Sequence, residues 1–299
     1  MRFEITIDGP QNAISKLIKK LQNLLPIDNN SDGFAPGKSG KEGILLHKDE
    51  EDLDNTLITV SRAVHEVERT TGLATEIELR VRNLAYSEPS TGTPLFSKPF
   101  DPIPSLTIQP WAHDLPAGTN SRTIIIDAGH AFGTGMHPSS RLCLEHLESL
   151  AKGRIPGRKL KGMKVLDFGC GTGLLAIAAV KLGAEEANGV EIDRQSALTA
   201  LENVERNGMT DQIDIKPGSW EKIRSKYDLI LANLVPAVIL RTGSKIPVFL
   251  KKGGLGIFAG FSLQQSDEIE QFFMNSGLVA AEKGSLEGWG SLIMENQRM

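Results

Sequence analysis

The sequence predicts a doubly wound α/β domain with a mostly parallel sheet, preceded by a small α+β unit. Three observations carry this. Strand and helix patterns alternate from about residue 138 onward, which implies parallel strands with helices on both faces. The first hundred residues read roughly as β-α-β-α-β, close to a ferredoxin-like order. Several of the 30 glycines in the 299 residues cluster where one strand turns directly into a helix.

The N-terminal unit is expected over residues 1–88. Phe3, Ile5 and Ile7 alternate with polar residues, the period of a half-buried strand. Pro10 opens a segment that places Ile14, Leu17, Ile18, Leu21 and Leu25 on one helical face. Residues 28–43 are rich in turn formers and read as a loop. A short strand follows at 44–46. Leu57, Val60, Val64 and Val67 form a second helical stripe that stops near Gly72, and Ile77, Leu79 and Val81 alternate again as a strand. The middle leaves room for one more strand. The acidic run 49–54 reads as a solvated loop at a helix start or as a contact for a basic partner.

Residues 88–120 hold seven of the fifteen prolines, which predicts a linker over 89–120 with extended pieces. Strands are expected near 106–108 and 123–126. The second domain is placed at 121–299. Its strands fall at 165–168, 187–192, 213–215, 228–232 and 255–261, with helices at 174–182, 196–207, 237–250 and 264–275. Paired strands at 278–282 and 290–294 close it.

Composition excludes several classes. Hydrophobic residues at 40% and charged residues at 23% fit a chain that buries a core rather than a disordered one. No stretch approaches the ~18 apolar residues that span a bilayer, and MRFEITIDGP lacks the apolar core of a secretion signal. Two cysteines exclude a disulfide scaffold and fit a reducing cytoplasm. His130 and His137 flank one loop, but without a neighbouring carboxylate or thiolate they make a poor metal site, and none is expected. A net charge of −4 argues against a bulk electrostatic grip on nucleic acid.

The motif richest in chemistry is Val165-Leu-Asp-Phe-Gly-Cys-Gly-Thr-Gly-Leu174. A buried strand ends at Asp167, Gly169, Gly171 and Gly173 follow, and a helix starts at once. Glycines there admit a ligand close to the backbone. The spacing is G-x-G-x-G, which departs from the dinucleotide fingerprint G-x-G-x-x-G and counts against a nicotinamide cofactor. Cys170 reads as a small packing residue or as a thiol activated by the helix N-terminus. Glu191 closes the next strand, 22 positions beyond Gly169, where an acid accepts the hydroxyls of a ribose. Asp193 reads as a helix N-cap. Asn233 ends a later strand, and two readings stand for it: a ligand-facing group at the carboxyl edge of the sheet, or an N-cap for a helix begun near Pro236.

DFGCGTG, Glu191 and the Ala232-Asn-Leu234 strand end together resemble a class I S-adenosylmethionine-dependent methyltransferase, with its Rossmann-like fold. The segment Asp127-Ala-Gly-His-Ala-Phe-Gly-Thr-Gly-Met-His-Pro-Ser-Ser-Arg141 narrows the resemblance. It is similar to the AFGTGxHxTT signature of the PrmA family, which methylates large-subunit ribosomal protein eleven. Gln109-Pro-Trp111 and Gly288-Trp-Gly290 also match that family's pattern, and the likeness covers about residues 100–299.

The resemblance implies S-adenosylmethionine as cofactor and amino groups of a ribosomal protein as substrate. It implies a recognition role for residues 1–88. Ser140 stands at the second threonine of the signature and contacts the cofactor. Gly169 and Gly171 lie against it, Glu191 binds its ribose, and Phe132 and Thr134 shape the pocket. Asn233 lies beside the cofactor's reactive methyl and is the expected catalytic residue. Two departures stand out: Ser139-Ser140 replaces a threonine pair, and the ribose acid is glutamate rather than aspartate. Trp289 is left as a core residue or a border of the substrate entrance. Two alternatives remain open, a methyltransferase of the same fold acting on other lysines or small molecules, and a cofactor-binding module without catalysis.

Overall fold

The computed structural model describes residues 2–25, 33–36, 42–49, 78–83, 98–111, 121–129 and 131–298, together with seven helical positions between 56 and 70. The chain divides into two compact units. The first comprises Met1–Pro89 with Val235–Arg241, and the second Ser90–Leu234 with Thr242–Met299.

The first unit is built on four strands, β1 (Arg2–Gly9), β2 (Gly33–Pro36), β3 (Glu42–Asp49) and β4 (Glu78–Asn83), in the order β2-β3-β1-β4. All neighbours are antiparallel. With helix α1 (Gln11–Leu24) after β1 and helical residues between β3 and β4, this is the ferredoxin-like arrangement. Ile5 and Ile7 turn the same way because successive strand residues alternate. They meet Ala13, Ile14, Leu17 and Leu21 of α1, Ile44 and Leu46 of β3, and Val60, Ala63, Val64 and Val67. Ala237 completes that core, so residues far along the chain belong to this unit. Strand β2 lies inside the stretch read as a loop. Its pairing Gly33↔Leu45 to Pro36↔Glu42 supplies the order that local turn formers conceal. The acidic positions 50–54 lie outside the described residues.

The second unit carries a seven-stranded sheet. Its strands are β8 (Lys164–Phe168), β9 (Glu186–Glu191), β10 (Ile213–Pro217), β11 (Tyr227–Asn233), β12 (Leu250–Ser262), β13 (Leu278–Leu286) and β14 (Trp289–Asn296). The order is β10-β9-β8-β11-β12-β14-β13. The first five are parallel to their neighbours, while β14 inserts antiparallel between β12 and β13. Strands β8, β11 and β12 are nearly continuous apolar runs because both faces are covered. Three helices position the site: α2 (Pro138–Ala151), α3 (Leu174–Lys181) and α4 (Arg194–Arg206); the helix that follows β11, α5 (Pro236–Thr242), lies almost wholly in the first unit.

The proline-rich segment behaves differently from the linker expected over 89–120. Its described part forms β5 (Phe100–Ile103) and β6 (Leu106–Pro110), which join β7 (Thr123–Ile126) in a three-stranded sheet. Pro102 is tolerated because β5 is an edge strand with an irregular register. Ile103, Leu106, Ile108, Ile124 and Ile126 are buried in the core of the second unit, which makes residues 98–111 part of that unit.

His146 on α2 shows what burial does to a titratable group in this core. Its Nε2 lies 2.8 Å from Ser291 Oγ, and burial lowers its pKa to about 4. The neutral ring is therefore favoured by folding. That stability is fully present above the unfolded pKa near 6.5 and is lost as pH falls toward 4. Replacing His146 by Gln should raise the denaturation free energy at pH 4.5, relative to the wild type, by roughly 2–3 kcal/mol compared with the difference at pH 7.5. Urea titrations of both proteins at the two pH values check this, and a difference independent of pH contradicts it.

Candidate active site

The sheet reverses its order of winding between β8 and β11, and open α/β sheets hold ligands outside the carboxyl ends of strands at such a point. Three segments converge there: the glycine loop after β8, the strand end at Asn233, and the loop 131–136 that precedes α2.

The glycine loop is pinned at both ends. Gly169 and Cys170 donate their backbone N–H to Val190 O at 2.9 and 3.1 Å. Helix α3 has Gly173 as N-cap, with no side chain to offer its first turn. Asp167 at the end of β8 fills that gap, its Oδ2 accepting the Ala176 N–H at 3.0 Å. Burial, with a contribution from the Glu191 charge, pushes the Asp167 carboxyl up to about 7. Cys170 packs in the apolar core against Gly189, and burial pushes its thiol up.

Glu191 also belongs to this loop. Its two carboxylate oxygens accept the N–H groups of Gly171 and Asp193, both at 3.0 Å. Burial nevertheless raises its pKa. A carboxylate has about four acceptor sites, so capacity remains for ligand hydroxyls. Asp193 is the N-cap of α4, accepting Ser196 N–H at 2.8 Å.

The loop 131–136 lies directly on the glycine loop. Thr172 donates its N–H to Phe132 O at 3.0 Å and its hydroxyl to Gly133 O at 2.6 Å. A Cβ on Gly171 would stand 2.2 Å from the Phe132 carbonyl oxygen. The close approach at Gly171 is therefore made by the protein's own backbone. Gly169 faces Leu234, whose Cδ2 would be 2.5 Å from an added Cβ. The glycine loop is thus held between the 131–136 loop and the residue after Asn233.

Asn233 donates Nδ2–H to Ser140 Oγ at 3.1 Å. Its Oδ1 is buried and has no hydrogen-bond partner among the described residues. An orphaned buried acceptor costs about 1–3 kcal/mol, a deficit that Trp220 Nε1 and Ser266 Oγ share. The N-cap reading fails because α5 begins at Pro236, three residues on. Ser140, buried on α2, aims the Asn233 amide. Thr134 is buried within its loop, its Oγ1 accepting Met136 N–H at 3.5 Å. The Phe132 ring is exposed and meets His137 edge-on at 5.5 Å. His137 caps α2 through Nδ1, which accepts the Ser139 N–H at 3.2 Å. It also meets Trp289 edge-on at 4.4 Å. The two-residue turn Glu287-Gly288, both with positive φ, delivers Trp289 to that position. Trp289 is half-buried there, against the N-cap of α2. His130 lies outside the described residues. Among those described, no group of three or more His, Cys, Asp or Glu could hold a metal ion.

Sequence reasoning missed Asn203 on α4 and Asn207, which caps its C-terminus. Asn203 is fully buried and bonds Asp127 and Thr172. Asn207 clasps Ile125 through two bonds of 2.7 and 3.0 Å. Arg206 lies between them, its guanidinium over the Trp111 ring at 4.5 Å. The signal was present: Ala197, Ala200 and Val204 define the buried face of α4, and Asn203 falls on it.

Strand order, glycine loop, strand-end acid and strand-end asparagine together define the class I methyltransferase fold, with β14 inserted before the last strand. A model of the ribosomal protein L11 methyltransferase (PrmA) family matches residues 46–297, and the chain belongs to that family. The match reaches well into the first unit, beyond the motifs read from sequence. A ribosomal protein L11 methyltransferase of Desulforamulus reducens is 32% identical over 228 residues, covering 75% of this chain and 70% of that protein. One from Vibrio vulnificus is 38% identical over 168 residues, or 56% of this chain; the chain spans about half the length of that relative, 54%. A crystal structure of a ribosomal protein L11 methylase from Lactobacillus delbrueckii subsp. bulgaricus superposes with a TM-score of 0.56 at 28% identity, over 67% of this chain and all of the other.

The contact at Gly171 makes a local test. Gly171→Ala adds a left-handed penalty of about 1–2 kcal/mol to a clash with a carbonyl that cannot move without opening the Thr172 bonds. Gly157 has a similar φ of 70° with nothing within 4 Å. Gly157→Ala should therefore cost about 1 kcal/mol, and Gly171→Ala at least about twice that. Denaturant midpoints of the two variants check the contrast, and equal losses contradict it.

Proposed function

We propose that this protein transfers methyl groups from S-adenosylmethionine to amino groups, of lysine or an N-terminus, on ribosomal protein L11. The observation that carries the reading is the unpartnered buried Oδ1 of Asn233, held by Ser140 at the strand end beside the glycine loop. Family membership and the naming of the relatives support the substrate.

The residues fit the cofactor. Glu191 keeps acceptor capacity for the ribose hydroxyls, the backbone at Gly169 would lie along the amino-acid portion, and Gly171 would lie against the cofactor. Phe132, Thr134 and Ser140 complete the wall. When bound, the cofactor supplies a methyl group on a sulfonium, already a good leaving group. The protein's contribution is positioning. A substrate amine attacks only when neutral, and lysine in water is protonated up to a pKa of about 10.4. Asn233 Oδ1 accepts an N–H of the neutral amine and directs its lone pair. An aspartate in its place would favour the ammonium form through its charge. The amine's proton leaves to solvent. A cytoplasmic setting, without direct contact to nucleic acid, fits the two reduced cysteines and the net charge of −4.

The test is incubation with labelled S-adenosylmethionine and an extract of cells that lack their own enzyme. A labelled band identified as ribosomal protein L11 is expected; label confined to small molecules or to another protein overturns the assignment. Two variants separate the roles. Glu191→Ala should raise the cofactor dissociation constant at least tenfold, since charge-assisted hydrogen bonds contribute about 1.5–3 kcal/mol. Asn233→Ala should cut turnover by two orders of magnitude or more, with the dissociation constant changed far less. Calorimetry and steady-state kinetics read the split, and equal modest losses in both quantities remove Asn233 from substrate orientation.

A further inference from the structure

Asn203 sits on α4, outside every motif that marks the site, and is 0% exposed. All its hydrogen-bonding capacity is used. Oδ1 accepts from Asp127 N at 2.9 Å and from Arg206 Nη1 at 3.1 Å. Nδ2 donates to Asp127 O at 2.9 Å and to Thr172 O at 3.0 Å. The side chain therefore pairs with Asp127 as a neighbouring strand would and, with its remaining donor, holds the carbonyl of the glycine loop.

These bonds close a ring. Asp127 opens the segment that becomes the 131–136 loop, and its Oδ1 accepts Gly129 N–H at 3.0 Å. Ala131 N–H bonds Ala128 O at 2.9 Å. Phe132 and Gly133 carbonyls accept both donors of Thr172. Thr172 O returns to Asn203. Neither loop belongs to a regular ladder at these positions, and the ring ties one to the other by side-chain and loop hydrogen bonds. Arg206, itself placed over Trp111 and 3.6 Å from Asp127 Oδ2, holds Asn203 Oδ1 in its orientation.

We propose that Asn203 is a positioning residue for cofactor binding: through Asp127 and Thr172 it clamps the 131–136 loop and the glycine loop into a single preformed wall. This rests on the cofactor reading given above. Preorganisation of that kind lowers the ordering cost of binding. Asn207, one helical turn on, provides an internal control. It clasps Ile125 with the same chemistry and donates to the Asn203 backbone carbonyl at 2.7 Å, and among the described residues it makes no hydrogen bond to either loop.

The experiment compares wild type, Asn203→Asp and Asn207→Asp. An aspartate retains acceptors and loses both donors, so at 203 it breaks the bond to Thr172. Backbone hydrogen exchange of the ligand-free proteins should be at least tenfold faster over 131–136 and at Thr172 in Asn203→Asp, and within threefold of wild type in Asn207→Asp. The dissociation constant for S-adenosylmethionine should rise at least tenfold for Asn203→Asp and less than threefold for Asn207→Asp, while turnover at saturating cofactor changes less than threefold in both. Equal effects of the two variants, or unchanged exchange in Asn203→Asp, overturn the proposal. If Asn203→Asp does not fold, Thr172→Val, which removes only the hydroxyl bond to Gly133 O, should speed exchange over 131–136 at least threefold; unchanged exchange overturns the clamp. A wild-type protein that binds no S-adenosylmethionine overturns the cofactor reading, while the exchange data decide separately whether the clamp exists.

Discussion

The site depends on one contact, the Phe132 carbonyl resting against the backbone at Gly171 and accepting the N–H of Thr172. A side chain at 171 would separate the two loops. With glycine there, the loop before α2 and the loop after β8 share a wall, and α2 starts at a fixed place relative to β8. Ser140, in the first turn of α2, is then set opposite Asn233 at the end of β11. The position of the Asn233 amide is thus a consequence of loop packing that takes place on the far side of the glycine loop.

The same packing uses charge sparingly. Asp167 and Glu191 are both carboxylates in low-dielectric surroundings, and each offsets its desolvation with backbone N–H groups at the turn between strand and helix. Burial still wins, raising both pKa values. Asn233 carries no charge at all, which suits the amine-accepting role proposed for it. The polar groups that hold the loops, Asn203 and Thr172, are neutral as well, and in both the side-chain hydrogen-bonding groups are bonded within the protein.

Legibility in the sequence followed the range of the interaction. Strand β8 with its glycine turn, and β9 with Glu191, could be read because each is defined by adjacent residues whose pattern is local. The run 33–36 was hidden because it becomes a strand only by pairing with β3 across a turn-rich stretch. The proline-rich segment misled for a related reason. Proline density signals extended chain, and whether that chain is a linker or an edge strand is decided by Ile103, Leu106 and Ile108 reaching a distant core. At the site, residue types were readable and their partners were not. The resemblance marks Ser140 as a cofactor contact, and no local pattern shows that its hydroxyl also accepts from Asn233, 93 residues away in sequence. The asparagines of α4 carried only a helical-face signal, and nothing local ties them to loops 31 and 76 residues distant.

The glutamate at 191 serves two turns at once. The additional methylene of glutamate lets one oxygen reach the Gly171 N–H in the neighbouring loop while the other takes the Asp193 N–H ahead of α4. Glu191 therefore joins β8's loop to β9's turn, as Thr172 joins it to the 131–136 loop and Asn203 joins it to α4. The glycine loop has few side chains with which to fix itself. Its geometry is set from three sides by polar contacts to Glu191, to the 131–136 loop and to Asn203.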